Sequence, residues 1–216
     1  MNLNAEAVAE FLTEHPEFFE DKPGLLEAIA IPHPHGGRAI SLAERQQLQL
    51  REKNKLLESK LRELLQFGEE NDAIGEKLHR LTLALVAARD LPGVLQRLEF
   101  HLREDFAVPH VAVRLWAAGA PAGMAEASDE SRQFTEGLAG PHCVGHAMLD
   151  TAGWFGAAAA QLKSFAYVPL RGERTLGLLA LASEDPQRFY PEMGTLYVKR
   201  LGEVASAAIS RNLPPA

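Results

Sequence analysis

The chain has 216 residues, with 22 Lys and Arg against 29 Asp and Glu, a formal net charge of −7 and a single cysteine. That length suits one ordinary domain with an appendage or two small domains, and 46% hydrophobic with 24% charged residues is a soluble, globular composition. Lone Cys143 excludes an internal disulfide and every multi-cysteine metal or redox framework; the acidic balance argues against nucleic acid, and no apolar run reaches the roughly 18 residues that span a bilayer. The opening MNLNAEAVAEF has neither a basic n-region nor a cleavable hydrophobic core, so a cytoplasmic location is the expectation.

Residues 1–40 read as short helices broken by prolines. Val8, Phe11 and Leu12 share one face of a first helix that His15-Pro16 stops. Pro23 is placed to open a second, carrying Leu25, Leu26 and Ile29 after the aromatic pair Phe18-Phe19. Forty residues cannot bury these side chains alone, so the segment should dock on something, a partner chain being the natural candidate. IPHPHGG then reads as a loop.

Residues 41–89 predict one long helix. Ser41 and Glu44 have the spacing of a capping box. From 41 to 80 there is no proline, and eight acidic and eight basic residues give a salt-laced surface. Ile40, Ala43, Gln47, Leu50, Asn54, Leu57, Leu61 and Leu64 step by threes and fours, a heptad seam with leucines at d and Asn54 at a. A buried Asn at a favours a parallel two-stranded register, because its amide is satisfied only by its mate. The phase slips at FGEEND, where Gly68 and Gly75 fall, and resumes with Ile74, Leu78, Leu81 and Leu85. At about 1.5 Å per residue the helix could reach roughly 70 Å. A helix packed along its own domain is the alternative; the spacing and charge favour a dimeric coiled coil.

Residues 90–216 alternate helix and strand signals. A helix starts near Pro92, and PHVAVRLWA then switches to period two, with Val111, Val113 and Leu115 on one face and Ala112, Arg114 and Trp116 on the other. A loop, GAPAGMAEASDES, precedes a short helix near SRQFTEGL. SFAYVPL and TLGLLALAS read as strands joined across RGER, and Pro191 as the opening of a last helix lined by Met193, Tyr197, Leu201, Val204 and Ala208.

SFAYVPLRGERTLGLLALASEDPQRFY and the helix after it resemble a GAF-type sensory domain, a relative of the PAS fold, in which a strand ending Val-Pro-Leu turns into a Gly-Leu-Leu strand and an acidic loop. AEFLTEHPEFFEDKPGLLEAIAIPHPHGGRAISLAERQ is similar to the opening of a bacterial family that joins a coiled coil to a GAF-like domain of unknown function. The two resemblances together cover nearly the whole chain. They imply an α+β fold: N-terminal helices, a long coiled-coil helix, then an antiparallel sheet flanked by helices, commonly dimeric, with a ligand cavity between sheet and lid. They imply no activity.

The chemistry candidates are few. GAF relatives that reduce free methionine sulfoxide turn over several thiols, and this chain has only Cys143. The Asn-Lys-x-acid pattern of cyclic-nucleotide binders is absent, as are G-x-S-x-G, the P-loop and G-x-G-x-x-G. Tetrapyrrole attachment at Cys143 stands against the plainer reading of a buried small hydrophobe. His142, Cys143 and His146 have donors that suit zinc or copper but no familiar spacing, so structural or pocket-lining roles are expected; His33 and His35 form a similar weak pair in a proline-held loop. Glu17, Glu20 and Asp21 read as surface acids, and Arg171 and Arg174 as solvated charges flanking a hairpin tip.

What remains is a pocket. Trp116, Phe165 and Tyr167 should project from one sheet face, with His142, Cys143, Trp154 and Phe155 in the lid over it. Val111, Val113, Leu115, Val168 and Leu170 should pack the other face against the first and last helices of the domain. The functional expectation is a non-enzymatic homodimeric sensor or interaction module binding an unidentified small molecule or protein, with no membrane partner and no metal. The alternatives are an enzyme using Cys143 as nucleophile or redox centre, and a structural adaptor whose pocket its own side chains fill.

Overall fold

The computed structural model describes residues 4–33, 36–124 and 126–213. The chain divides into two compact units, residues 1–69 and 70–216.

In the first unit, α1 (Ala5–Glu14) begins where the Asn4 side chain accepts the Ala7 amide at 2.7 Å, and ends at His15. α2 (Phe18–Asp21) and α3 (Pro23–Ala28) follow, with Pro23 in the first turn. None of the α1 side chains is buried; Phe11 meets the Phe18 ring edge-on at 5.9 Å and stays exposed.

The expected loop at IPHPHGG is instead part of an antiparallel hairpin, β1 (Ala30–His33) with β2 (Gly36–Ser41). Pro32 stands opposite Ala39. In a two-stranded ribbon both strands are edges, so a residue without an N–H can be accommodated. His35 and the side chains of His33, Ile40, Ser41 and Glu44, which carry the His pair, the start of the seam and the capping box, lie outside the described residues.

The long helix α4 runs Leu42–Val86. Gly68 and Gly75 do not interrupt it; both sit inside continuous helix. The slip in leucine phase has another meaning, seen in the second unit. There Leu81 and Leu85 are fully buried, with Leu78 packed beside them, in the core of the chain's own domain.

That unit is a layered α+β fold. α5 (Leu91–Glu104) is capped by Asp90, whose carboxylate accepts the Gly93 amide at 2.8 Å, and buries Leu91, Val94, Leu98 and Leu102. β3 (His110–Leu115), α6 (Asp129–Gly137), β4 (His142–Val144), β5 (Ser164–Arg171), β6 (Thr175–Ser183) and α7 (Leu196–Asn212) follow. The antiparallel sheet has the order β3-β6-β5-β4. α7 starts at Leu196 and not at Pro191, which opens a turn followed by a bend at Met193.

The two faces of the sheet differ. Val111, Val113, Leu115, Ala166, Val168 and Leu170 face a core completed by α4, α5 and α7. Ala112, Trp116, Phe165, Tyr167, Leu178 and Ala180 face the opposite way, beneath α6 and a strap of 3₁₀ turns, Leu149–Gln161. Alternation along β3 and β5 therefore sorts the two cores as period two requires. The strap kinks at Gly156 (φ 56°, ψ −130°), in the left-handed region that favours glycine.

Candidate functional site

The aromatic face is the natural place to look for a site. Phe165 and Tyr167 stack with centroids 6.2 Å apart and rings 5° from parallel. Phe134 of α6 meets Tyr167 edge-on at 5.8 Å, and Phe155 of the strap meets Phe165 at 6.0 Å. Side chains occupy the space where a ligand was expected: Phe165 is 2% exposed and Tyr167 0%.

Polar groups lock this cover. The Met148 amide donates to the Tyr167 hydroxyl at 2.9 Å, the Thr151 hydroxyl lies 2.7 Å from the same oxygen, and the Thr151 hydroxyl donates to the Met148 carbonyl. One proton arrangement satisfies the whole ring, with Tyr167 donating to Thr151. Burial holds the Tyr167 phenol above its usual range, outweighing the opposite pull of these hydrogen bonds. Asp150, one residue earlier in the strap, accepts from the Ser128 amide (3.2 Å), the Ser128 hydroxyl (2.9 Å), the Ser131 hydroxyl and the Trp154 indole (3.4 Å). Ser128 is also the N-cap of α6, so one carboxylate ties the strap to the start of that helix. Burial raises the Asp150 carboxyl, but hydrogen bonds from Ser131 and Ser128 outweigh it, and the net shift is downward.

The expected site residues divide. Trp116 and Trp154 are half-buried in the aromatic cluster; the Arg132 guanidinium lies 5.9 Å from the Trp116 ring, and that of Arg114 lies 5.3 Å from Trp154. His142 pairs with Tyr167 across β4 and β5, is exposed, and approaches Phe134 at 6.3 Å. Cys143 does not belong with them. It pairs with Ala166 and is buried in the helical core on the opposite face. Adjacent strand residues point opposite ways, so His142 and Cys143 cannot converge on one ligand or one metal. Burial pushes the Cys143 thiol up, away from thiolate.

Sequence reasoning missed Thr151, Asp150, Ser131 and Phe134, because nothing marks a strap hydroxyl as the partner of a tyrosine on a distant strand. Arg171 was expected to be solvated. It is exposed, and it also donates to the carbonyls of Thr135, Glu136 and Leu138 at the end of α6. Arg211 likewise donates to the carbonyls of Val86 and Ala88. A groove of about 540 Å³ between β5 and α7 is lined by both arginines, which are thus already engaged.

Fold and site together define an α+β domain with a sealed aromatic face, in a chain that also carries a 45-residue helix. The chain belongs to the family described as "Protein of unknown function, DUF484", whose family model matches residues 1–213. The uncharacterized protein YigA of Salmonella typhimurium is 25% identical over 227 aligned residues, 97% of this chain and 92% of that one. Its Escherichia coli K12 namesake is 32% identical over 123 residues, 55% and 52% of the respective chains. Among solved structures, the native GAF domain of the potassium sensor histidine kinase KdpD from Escherichia coli aligns at a TM-score of 0.43 with 20% identity, over 64% of this chain and 94% of that one. No helix among the described residues is long and apolar enough to cross a membrane.

Proposed function

We propose that the protein is a non-enzymatic, cytoplasmic homodimeric interaction module, in which residues 41–64 pair two copies and a GAF-like C-terminal domain presents a surface to a further protein. The observation that carries this reading is the uncovered seam. Leu50, Leu57, Leu61 and Leu64 are 58–66% exposed on a single chain, and Asn54, Leu57, Leu61 and Leu64 line one groove along α4. About four turns later the leucines have changed phase and go into the domain's own core, so the early phase is the one left for a partner. A second copy suits it because Asn54 is then met by its own mate. The buried, upward-shifted Cys143 supports a non-enzymatic role over a thiol nucleophile. The filled aromatic face favours an adaptor over a sensor with a standing cavity there.

A second reading keeps Trp116, His142, Trp154, Phe165 and Tyr167 as ligand contacts, reached when the strap opens. One observation favours it: Arg114 Nε is buried and has no hydrogen-bond partner among the described residues, beside the half-buried Trp154. An anionic group could satisfy it. Light scattering on the Leu57→Glu, Leu61→Glu double variant tests the first reading; the wild-type mass in that variant would remove the seam as the interface. Native mass spectrometry of the purified protein, searching for a retained small molecule, tests the second.

A further inference from the structure

A different cavity, on the helical side of the sheet, carries an inference that goes beyond both readings. It measures about 430 Å³, lies within the second unit, and is bounded by the end of α4, the α5–β3 connection and the start of α7. Its walls are apolar: Leu102, Phe106, Phe189, Met193, Val198 and Leu201. Leu102, Phe189 and Leu201 are core residues, so the floor is fixed by packing that the fold needs anyway. Two cations, Lys77 and Arg188, share the lining, and among the described residues no carboxylate does.

These two charges differ in state. Arg188 donates to the Phe106 carbonyl and lies 5.9 Å from the Phe189 ring, so its place is set. Lys77 is half-buried and has no hydrogen bond or ion pair among the described residues. A lysine whose stem lies along apolar surface and whose ammonium has no protein partner can pair with an anion brought into the same place. The lining also includes Ala107, a non-glycine residue at φ 51°. Such a conformation persists only where its surroundings hold it, which describes a preformed edge.

We infer that this cavity binds a small amphipathic carboxylate, its hydrocarbon part against Leu102, Phe106, Phe189 and Met193 and its head group between Lys77 and Arg188. Volume, apolar walls and a small number of charged groups in the lining are the ordinary specification of a small-molecule site. The site lies across the sheet from the aromatic cluster, so it does not depend on the strap opening.

Decanoate is the probe, titrated calorimetrically into the full-length protein below its micellar range, with decanol as the uncharged control. The expected result is saturable binding of one decanoate per chain and at least tenfold weaker binding of decanol. Lys77→Met should weaken decanoate at least tenfold while Lys77→Arg retains it. Gly194 also lines the cavity, and a Cβ built there meets no atom within 4 Å, so Gly194→Phe should occupy the space without disturbing the backbone and abolish binding. Near-ultraviolet circular dichroism of each variant confirms the native fold; if Gly194→Phe does not fold, the lysine pair still decides. Equal decanoate affinity in wild type and Lys77→Met, many sites per chain, or no saturable heat would overturn the inference. The seam dimer is read separately by mass, so absence of decanoate binding to wild-type protein that is dimeric overturns this proposal alone.

Discussion

Removing one oxygen from the sealed face should cost far more than its size suggests. Tyr167→Phe keeps the ring, its stack on Phe165 and its edge contact with Phe134. It deletes the atom that takes the Met148 amide at 2.9 Å and lies 2.7 Å from the Thr151 hydroxyl. Thr151 retains the Met148 carbonyl as a partner, so its loss is partial. The Met148 amide has no replacement, and an unpaired, poorly hydrated backbone donor costs about 1–3 kcal/mol. Chemical unfolding should therefore show Tyr167→Phe less stable than wild type by that amount, with faster hydrogen exchange in residues 148–151. The deficit should also depend on pH. Because burial holds the folded phenol above its usual value of 10.0, the wild type keeps this contribution at neutral pH and loses it as pH rises past that value. Tyr167→Phe has no such group, so the two unfolding curves should converge at high pH. A variant within about 0.5 kcal/mol of wild type at pH 7 would refute the claim that this hydroxyl holds the strap.

Three further outcomes follow from the same contacts. Gly177→Ala places a Cβ 2.0 Å from the Arg114 carbonyl oxygen and 2.9 Å from a Leu115 methyl, so β3 should be forced off β6; a melting curve matching wild type would contradict that register. Asp150 is held below its ordinary value of 3.8, so its contribution is present at neutral pH and lost as pH falls through its folded value; Asp150→Asn should lower the urea midpoint at pH 7, with the difference shrinking as pH falls below 3.8. Cys143 is buried and its thiol shifted upward, so alkylation of the native protein between pH 5 and 9 should follow unfolding and not a low-pKa thiolate, whose appearance in the rate profile would revive the enzyme reading.

How much of this was legible in the sequence depends on the range of the interaction. Period-two alternation in β3 and β5 assigned Trp116, Phe165 and Tyr167 to one face, because it is set by backbone geometry alone. The leucine phase slip in α4 was visible, but the chain cannot say whether a displaced seam meets a partner or its own domain; Leu81 and Leu85 meet the domain. Cys143 was misplaced because β4 is only three residues long, too short for alternation to reveal its face. The filled cavity was not legible at all. It depends on Phe134 and Phe155 reaching across from α6 and the strap, and on a Thr–Tyr hydrogen bond between segments 16 residues apart. Arg171 illustrates the same limit: its three carbonyl acceptors lie more than 30 residues away in the chain.

The central claim is that α4 pairs with itself in parallel register through the Asn54–Leu64 seam. Leu57→Cys in a Cys143→Ala background places the chain's one thiol at a d position, where only a parallel, in-register mate brings two sulfurs together. After mild oxidation the account predicts a covalent species of twice the 23.6 kDa chain mass on a non-reducing gel, returning to one chain with reductant. A species that remains at one chain mass, from protein that light scattering also finds monomeric, would contradict it.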